Sequence, residues 1–189
     1  MLIPSVSLPS VFGASVPKTN TGNLRTRGWE LAVTWKNSTK SKHPFSYSVS
    51  ANLSDYNAVI TKYQNPTQYL GSYYEGEHLG EIWGLTTLGL YQTDAEAKNG
   101  PVNKLSAYTS YAAAGYLKFE DKNGDGEISR GAWTLKDHGD FSVIGNTTPR
   151  YQYGFTVYMN YRGFDLNAVF KGVGKMDFYP NGDSTVFWG

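Results

Sequence analysis

The chain contains no cysteine, so neither a disulfide framework nor a thiolate metal site can form. It also has little net charge, because 17 Lys and Arg stand against 16 Asp and Glu, for a formal charge of +1. Nucleic-acid-binding surfaces usually carry a basic stripe or patch, so this balance argues against a nucleic-acid partner. No window approaches the run of about 20 apolar residues that a membrane-spanning helix requires, which excludes a helical membrane protein.

Aromatic residues and glycine are abundant instead. The chain has 15 Tyr, 9 Phe, 5 Trp and 21 Gly. This composition favours strands, turns and long loops over helices. A membrane-spanning β-barrel stays possible, because barrel strands alternate between polar and apolar residues and never build a long hydropathy peak.

Two β-hairpins are predicted from alternating apolar and polar side chains. The first is expected near residues 26–54, with a polar turn at 37–44, and the second near 152–173, with a tight turn at Arg162 and Gly163. One face of each strand is apolar and the other is polar or small, as in a barrel wall between lipid and a water-filled lumen. A soluble β-sandwich core would give the same periodicity. The residues expected on one outward apolar face are Trp29, Leu31, Val33, Trp35, Phe155, Val157, Leu166 and Phe170.

The stretch between the hairpins, about residues 55–150, shows weaker order and is predicted to be a long external loop region. Connections of this length are uncommon in compact domains and are usually functional. Within it, we expect residues 81–93 to be partly extended, 94–99 to form a helical turn and 115–120 to form a short strand. Residues 1–24 are predicted to be an irregular lead-in. Short turns at one end of the strands and one long excursion at the other are typical of outer-membrane barrels.

A candidate calcium loop is the one motif that carries specific chemistry. Residues 121–128 (DKNGDGEI) place oxygen side chains at relative positions one, three and five, and a glycine at position six. This is the first half of an EF-hand-like loop, in which alternate oxygens converge on one hard cation. Position twelve is Ala132 instead of a bidentate glutamate, and an Asn-Gly and Asp-Gly turn with solvated carboxylates is the alternative. A structural calcium ion would be bound by Asp121, Asn123, Asp125 and the Glu127 carbonyl, with Asp137 or Asp140 completing the shell.

Three aromatic residues in the loop region, Tyr73, Tyr74 and Trp83, are candidate substrate-binding residues, because exposed rings can stack on sugars. Packing within the loop would explain them equally well. No catalytic residue is predicted, since the sequence has no nucleophile motif and no phosphate-binding loop. Its three histidines are scattered without metal-binding spacing. The sequence therefore indicates a binding or transport protein and not an enzyme.

Five segments together resemble the SusC/RagA family of TonB-linked outer-membrane proteins. In the family's order and spacing they are residues 12–35 (FGASVPKTNTGNLRTRGWELAVTW), 80–84 (GEIWG), 116–128 (YLKFEDKNGDGEI), 143–155 (VIGNTTPRYQYGF) and 161–175 (YRGFDLNAVFKGVGK). A collinear set is far more specific than any single motif. The resemblance therefore favours the barrel over the sandwich.

The resemblance implies an all-β fold in which antiparallel strands form part of a large transmembrane β-barrel of about 22 strands, with long external loops. It further implies an importer of glycans, oligosaccharides or peptides in the bacterial outer membrane. The implied partners are outer-membrane lipid, a SusD-like lipoprotein and the TonB-ExbB-ExbD complex. We expect the plug domain and the TonB-contacting segment to be absent from this chain, which would then be a C-terminal barrel fragment. The alternative is a soluble calcium-stabilised β-domain that binds carbohydrate.

Overall fold

The computed structural model describes residues 2–4, 18–20, 22–105 and 112–179, the first two ranges by their backbone alone. The predicted all-β class is confirmed, with mostly antiparallel pairing. Residues 26–58 and 147–189 form one compact unit, here the sheet unit, and residues 1–25 and 59–146 form a second, the loop unit. In chain order the elements are β1 (Leu2–Pro4), β2 (Lys18–Asn20), β3 (Gly22–Ser38), β4 (Phe45–Tyr63), β5 (Glu81–Gly84), β6 (Thr87–Leu90), α1 (Asp94–Lys98), β7 (Val102–Asn103), β8 (Leu117–Phe119), β9 (Glu127–Ile128), β10 (Ser142–Asn146), β11 (Arg150–Tyr161) and β12 (Phe164–Lys175).

The sheet unit is built on a four-stranded sheet in the order β12-β11-β4-β3. β11 pairs antiparallel with β12 on one side and with β4 on the other. β3 and β4 run antiparallel, since the Thr34 hydroxyl lies 3.0 Å from that of Ser50 and the Ser38 hydroxyl lies 2.9 Å from that of Ser46. In the described part of the chain these four strands form an open sheet of antiparallel neighbours.

The connection between β11 and β12 is the tight turn predicted at Arg162 and Gly163. Both residues have positive φ, +52° and +84° respectively. Two positive φ values in succession are typical of a type I′ turn, whose twist matches that of antiparallel strands. The turn places Tyr161 directly opposite Phe164 and so fixes the register of the whole hairpin.

One face of the sheet is apolar across all four strands. Residues directly opposite each other in an antiparallel pair lie on the same face, and Phe155 lies opposite both Phe170 and Ala51. The contact between Thr34 and Ser50 places the polar side chains of β3 and β4 together, so the apolar side chains of these strands share the other face. The apolar side chains of β3 expose 50% to 62% of their surface; they are Trp29, Leu31, Val33 and Trp35.

The opposite face of the sheet is hydrophilic and carries its own hydrogen bonds. Besides the hydroxyl pairs between β3 and β4, the carboxylate of Asp165 accepts from Tyr158 Oη at 2.6 Å and from Asn160 Nδ2 at 2.7 Å. Gly154 lies beneath the side chain of Asn52, where a Cβ would come within 2.3 Å of the amide oxygen. The two faces of this sheet therefore differ in chemistry along the whole length of β11.

β4 extends well past the hairpin end that the sequence predicted. Up to Leu53 the odd-numbered side chains lie on the apolar face, and Asp55 interrupts this series. Beyond it the buried side chains have even numbers, since Ala58 and Ile60 expose 4% and 1% of their surface. The alternation of apolar side chains thus moves from odd-numbered to even-numbered residues at Asp55. A strand predicted from unbroken alternation therefore ends before the observed end of β4.

The loop unit is a set of small strand pairs. β5 pairs with β10 and β6 with β8, both antiparallel and both with a register shift, and β7 pairs with β9 in parallel. Thr93 is the N-cap of the short helix α1, and its hydroxyl accepts from Glu96 N. The Glu96 carboxylate accepts in turn from Gln92 N. The extended, helical and strand segments expected near residues 81–93, 94–99 and 115–120 are thus observed.

The prediction of an irregular lead-in at residues 1–24 is only partly tested. Most of these residues lie outside those that the structure describes. The described ones include β1 and β2, which pair with each other, and the beginning of β3, so the segment is more ordered than predicted. In the described part of the chain no helix has the length and apolar character needed to cross a membrane.

Candidate functional sites

The turn at Asp121 is closed by its own side chain. Asp121 Oδ1 accepts the backbone N–H of Gly124 at 2.7 Å, and Oδ2 accepts that of Gly126 at 2.9 Å. Gly124 and Gly126 have φ values of +73° and +79°. A Cβ at either position would be strained by the backbone conformation even though the surrounding space is open. The sequence DKNGDG therefore folds into a compact turn that gathers oxygen atoms.

The next two oxygen-bearing residues extend this pattern. Asn123 Oδ1 accepts from Asp125 N at 3.0 Å, and Asp125 Oδ1 accepts from Glu127 N at 2.8 Å. The Asn123 amide also donates to Asp125 Oδ2 at 2.8 Å. The carboxylate of Glu127 forms an exposed ion pair with Lys104 at 3.2 Å. Asp121, Asn123 and Asp125 are thus brought together, whereas the side chain of Glu127 is engaged elsewhere.

Asp140 has a structural position that the sequence did not reveal. It exposes 0% of its surface, and its two carboxylate oxygens accept Lys122 N at 2.9 Å and Ser129 N at 2.8 Å. Asp140 N donates in turn to the carbonyl of Ser129 at 3.1 Å. This carboxylate therefore ties together the two ends of the loop that carries the calcium motif.

Asp137, the other residue predicted to complete a calcium shell, serves a neighbouring turn. Its Oδ2 accepts from Ala132 N at 3.0 Å, and its own N–H donates to the hydroxyl of Thr134 at 3.2 Å. Within the residues that the structure describes, no group of three or more His, Asp or Glu side chains is arranged to hold a metal ion. A cation at this loop would therefore need amide and carbonyl oxygens in addition to carboxylates.

The backbone at β9 leaves one carbonyl, that of Glu127, directed away from β7. Val102 N donates to Gly126 O and Lys104 N donates to Ile128 O, so these two carbonyls face β7. Carbonyls alternate in direction along a strand, and that of Glu127 therefore faces the opposite side. Side-chain oxygens of Asp121 and Asp125 with this carbonyl are ligands that calcium accepts. Calcium binding fits these residues and stays a prediction.

The three candidate substrate-binding aromatics have different environments. Tyr73 is exposed and packs edge-on against Tyr63, with ring centroids 5.7 Å apart, beside a shallow groove of about 380 Å³. Tyr74 exposes only 5% of its surface. Trp83 is half-buried between Trp133 and His138, with ring centroids at 6.4 and 5.2 Å. Of these three residues only Tyr73 is exposed, and the substrate-binding role of all three stays a prediction.

The hydroxyl of Tyr74 belongs to a carboxylate-rich turn. It donates to Glu81 Oε2 at 2.5 Å, while Glu81 Oε1 accepts from His78 N at 2.9 Å and Glu77 Oε2 accepts from Tyr74 N at 3.1 Å. Burial raises the pKa of Tyr74, and its hydrogen bond to Glu81 raises it further. Burial also raises the pKa of Glu77, and the charge of Glu81 adds to that shift. Both glutamates accept backbone N–H groups and so order this turn.

Two groups of residues were missed by the sequence analysis. The first is an aromatic cluster in which Trp133 packs edge-on against Phe141 at 5.0 Å and lies under the guanidinium of Arg130 at 5.2 Å. The second is an ion pair between Asp55 and Arg150, 95 residues apart in the sequence. A charged residue in an otherwise apolar register, as at Asp55, is the signal that could have indicated the ion pair. Nothing in local periodicity marks the aromatic cluster.

Comparison with known proteins adds a family relationship. No protein-family model matches the chain. The chain is 25% identical over 201 residues to the TonB-dependent receptor P39 of Formosa agariphila. The aligned region covers 90% of this chain and 18% of that receptor. It is 28% identical over 180 residues to the TonB-dependent receptor P3 of the same organism, covering 87% of this chain and 16% of that receptor.

The chain thus spans less than a fifth of the length of the curated relatives it matches. Both similarities run through nearly the whole chain, which includes the alternating strands and the loop unit. The strand-rich fold, with one apolar and one hydrophilic sheet face, agrees with a segment of barrel wall. Together, these observations support a relationship of this chain to the TonB-dependent receptor family.

Proposed function

We propose that this chain forms part of the barrel wall and the external loops of a SusC/RagA-type transporter in the bacterial outer membrane, an importer and not an enzyme. The observation that carries this proposal is the contrast between the two faces of the sheet unit. Soluble monomers rarely expose a contiguous apolar patch larger than a few hundred Å². Here the apolar side chains of four adjacent strands share one exposed face.

Lipid is the partner that suits this face. Tyr161 and Phe164 lie at one end of the β11–β12 hairpin and Tyr153 nearer the other, with the aromatic pair Phe155 and Phe170 between them. Aromatic girdles at the two membrane interfaces have this placement. The paired part of β11 and β4 runs from Gln152 to Tyr161. That length agrees with the about 9 to 11 residues of a tilted transmembrane strand.

The opposite face suits a water-filled lumen. It carries serine, threonine and asparagine side chains and a glycine along β4 and β11. Its hydroxyls bond to one another between β3 and β4, and the Asn160 amide donates to the Asp165 carboxylate. Such a surface is well solvated and presents no apolar core for a second sheet to cover. A β-sandwich sheet also has one hydrophilic face, the outer one, so the exposure of the apolar face is what favours a barrel wall here.

The proposed substrates are glycans, oligosaccharides or peptides, which pass between the loops and the lumen. The loop unit presents the exposed ring of Tyr73 and a second groove of about 340 Å³ that Tyr91, Tyr116 and Phe119 help to line. In the proposed assembly a SusD-like lipoprotein covers the external side, and the TonB-ExbB-ExbD complex supplies the energy. Both partnerships rest on the resemblance to the SusC/RagA family, and co-purification of the lipoprotein with the complete protein tests the first of them.

Lipid exposure of individual tryptophans provides the direct test of the barrel-wall proposal. The complete protein that carries this chain is reconstituted with phospholipids that have brominated acyl chains, which quench tryptophan on contact. One variant keeps Trp35 as its only tryptophan, and the matched variant keeps Trp133 in the loop unit; all others become phenylalanine. We expect strong quenching of Trp35, which is 62% exposed on the apolar face, and little quenching of Trp133.

Equal quenching of both residues, or none at Trp35, would contradict the assignment of this face to lipid. A complete protein that is soluble and monodisperse without detergent would instead favour the alternative, a calcium-stabilised β-domain that binds carbohydrate.

A further inference from the structure

An ion pair connects β4 with β11 at the end of their paired region. Arg150 Nε and Nη2 donate to the two carboxylate oxygens of Asp55, each at 2.5 Å, and Tyr151 N adds a bond to Oδ1 at 3.3 Å. Asp55 exposes only 8% of its surface. A planar guanidinium that meets a carboxylate through two parallel bonds has one narrow geometry, so this pair is specific in position as well as in charge.

The backbone around the ion pair is adapted to it. Tyr151 has a φ of +54°, which is uncommon for a bulky residue in a strand. On the neighbouring strand β12, a Cβ at Gly174 would lie 3.0 Å from Tyr151 Cβ. On β3, a Cβ at Gly28 would lie 2.8 Å from the carbonyl oxygen of Asp55. Glycines on both outer strands therefore leave room for this conformation at one level of the sheet.

The register of β4 against β11 has no local determinant. Within the second hairpin, the type I′ turn fixes the pairing of β11 with β12. A short polar turn connects β3 to β4 in the same way. β4 and β11 are instead separated by the whole loop unit, so no turn aligns them. The alternating pattern does not align them either, because a slip by two residues keeps every apolar side chain on the apolar face.

We propose that the ion pair between Asp55 and Arg150 sets the register of β11 on β4. A slip by two residues would move the strands by about 6.6 Å along each other, well beyond the reach of a bidentate pair. It would leave the buried carboxylate of Asp55 without its partner, which is strongly unfavourable. The fit of Asn52 over Gly154 belongs to the same register, since a slip would place a larger side chain, Gln152 or Thr156, opposite Asn52.

The register of β11 on β4 also affects the barrel dimensions on which the proposed transport function depends. In a closed barrel, the strand registers add up to the shear, and shear together with strand number fixes the tilt and the diameter. A single long-range ion pair would then help to determine the width of the lumen.

Disulfide trapping measures the register directly, and the absence of cysteine from this chain removes background within it. The in-register pair is Ser50→Cys with Thr156→Cys, since these residues lie opposite each other. The slipped pairs are Ser48→Cys or Asn52→Cys with Thr156→Cys. Each pair is placed in the complete protein, with Asp55 and Arg150 intact or with Asp55→Asn or Arg150→Gln. With the ion pair intact, we expect the in-register disulfide to exceed the slipped ones at least about fivefold, because a disulfide requires Cα atoms within about 7 Å.

With Asp55→Asn or Arg150→Gln, that excess should fall by at least half, as slipped disulfides appear. The matched control is Asp165→Asn, which removes a carboxylate between β11 and β12, where the turn sets the register; the excess should then be unchanged. An undiminished excess in both ion-pair variants would overturn the proposal.

If neither variant assembles, the exchanged pair Asp55→Arg with Arg150→Asp decides: recovered in-register trapping supports the proposal, and no recovery overturns it. Trapping reports the register whether or not the protein transports, so it is independent of the proposed function.

Discussion

At the scale of single residues, the carboxylates of the loop unit act mainly through backbone N–H groups. Asp121, Asp125 and Asp140 together accept five of these groups between Lys122 and Ser129. Hydrogen bonds from backbone N–H groups to a carboxylate stabilise its charged form and order the chain around it. The calcium motif is therefore a folded turn that the Asp121, Asp125 and Asp140 carboxylates order through backbone N–H groups.

The first prediction concerns calcium at this loop. Calorimetric titration of the complete protein, stripped of metal, should detect calcium binding that Asp125→Ala removes, because that substitution deletes a predicted ligand. Protease sensitivity of the loop should rise in the variant while the barrel strands stay protected, since they keep their own hydrogen-bond ladder. Absence of calcium-dependent heat, with unchanged protease sensitivity, would reduce the motif to a turn.

Asp140 provides a comparison within the same experiment. Asp140→Ala should loosen the loop both with and without calcium, at a cost of about 1 to 3 kcal/mol, because it leaves the part-buried N–H groups of Lys122 and Ser129 without their acceptors. Hydrogen exchange at these two amides gives the measurement. Loosening that calcium fully suppresses would contradict this role for Asp140.

A second prediction at this scale is a pH dependence from Glu77. Burial raises its pKa in the folded state above the ordinary value of 4.5. A raised pKa means that folding favours the protonated form, so this contribution to stability is present below about pH 4.5 and is lost as pH rises through the folded-state pKa. Glu77→Gln should therefore flatten the loss of loop-unit stability above pH 4.5. Hydrogen exchange in residues 74–81 at several pH values measures it, and an identical pH profile in the variant would refute it.

At the scale of elements, each hairpin is defined by its turn. The β11–β12 turn has positive φ at Arg162 as well as at Gly163, and arginine is not the residue preferred there. Substitutions at these two positions should therefore change the stability of the protein in opposite directions. Arg162→Asn should stabilise the protein, because asparagine tolerates this conformation, whereas Gly163→Ala should destabilise it by about 1 to 2 kcal/mol.

Reversible urea unfolding of the complete protein in detergent or lipid provides the measurement for this pair. Equal stability of the two variants would contradict a type I′ turn at Arg162 and Gly163 and would indicate that strand pairing alone sets the hairpin.

At the scale of the whole molecule, the decisive property is the direction in which each sheet face points. Val157 lies on the apolar face and Thr156, its neighbour on β11, lies on the hydrophilic face. Val157→Arg should impair membrane assembly at a cost of about 2 to 4 kcal/mol if the position is near the bilayer midplane, and Thr156→Arg should be tolerated in a water-filled lumen. Outer-membrane fractionation of both variants measures this difference, and similar assembly of the two would contradict the lipid-facing assignment.

Features that depend on neighbouring residues follow from the amino-acid sequence alone. Alternation with a period of two places successive side chains on opposite faces whatever the rest of the chain does, so the apolar and hydrophilic faces could be read directly. The Arg162–Gly163 turn and the DKNGDG turn follow from local conformational preferences in the same way. These features need no knowledge of distant partners.

Features that depend on residues far apart in the chain become visible only in the folded protein. Asp55 meets Arg150 across 95 residues, and that contact accounts for a buried charge in an apolar register. Asp140 is a loop-closing residue because the fold brings it against Lys122 and Ser129. Tyr74 is buried against Glu81 although its surroundings in the sequence resemble an exposed loop. Local periodicity holds no information about such partners, because the contacts form only when the chain folds back on itself.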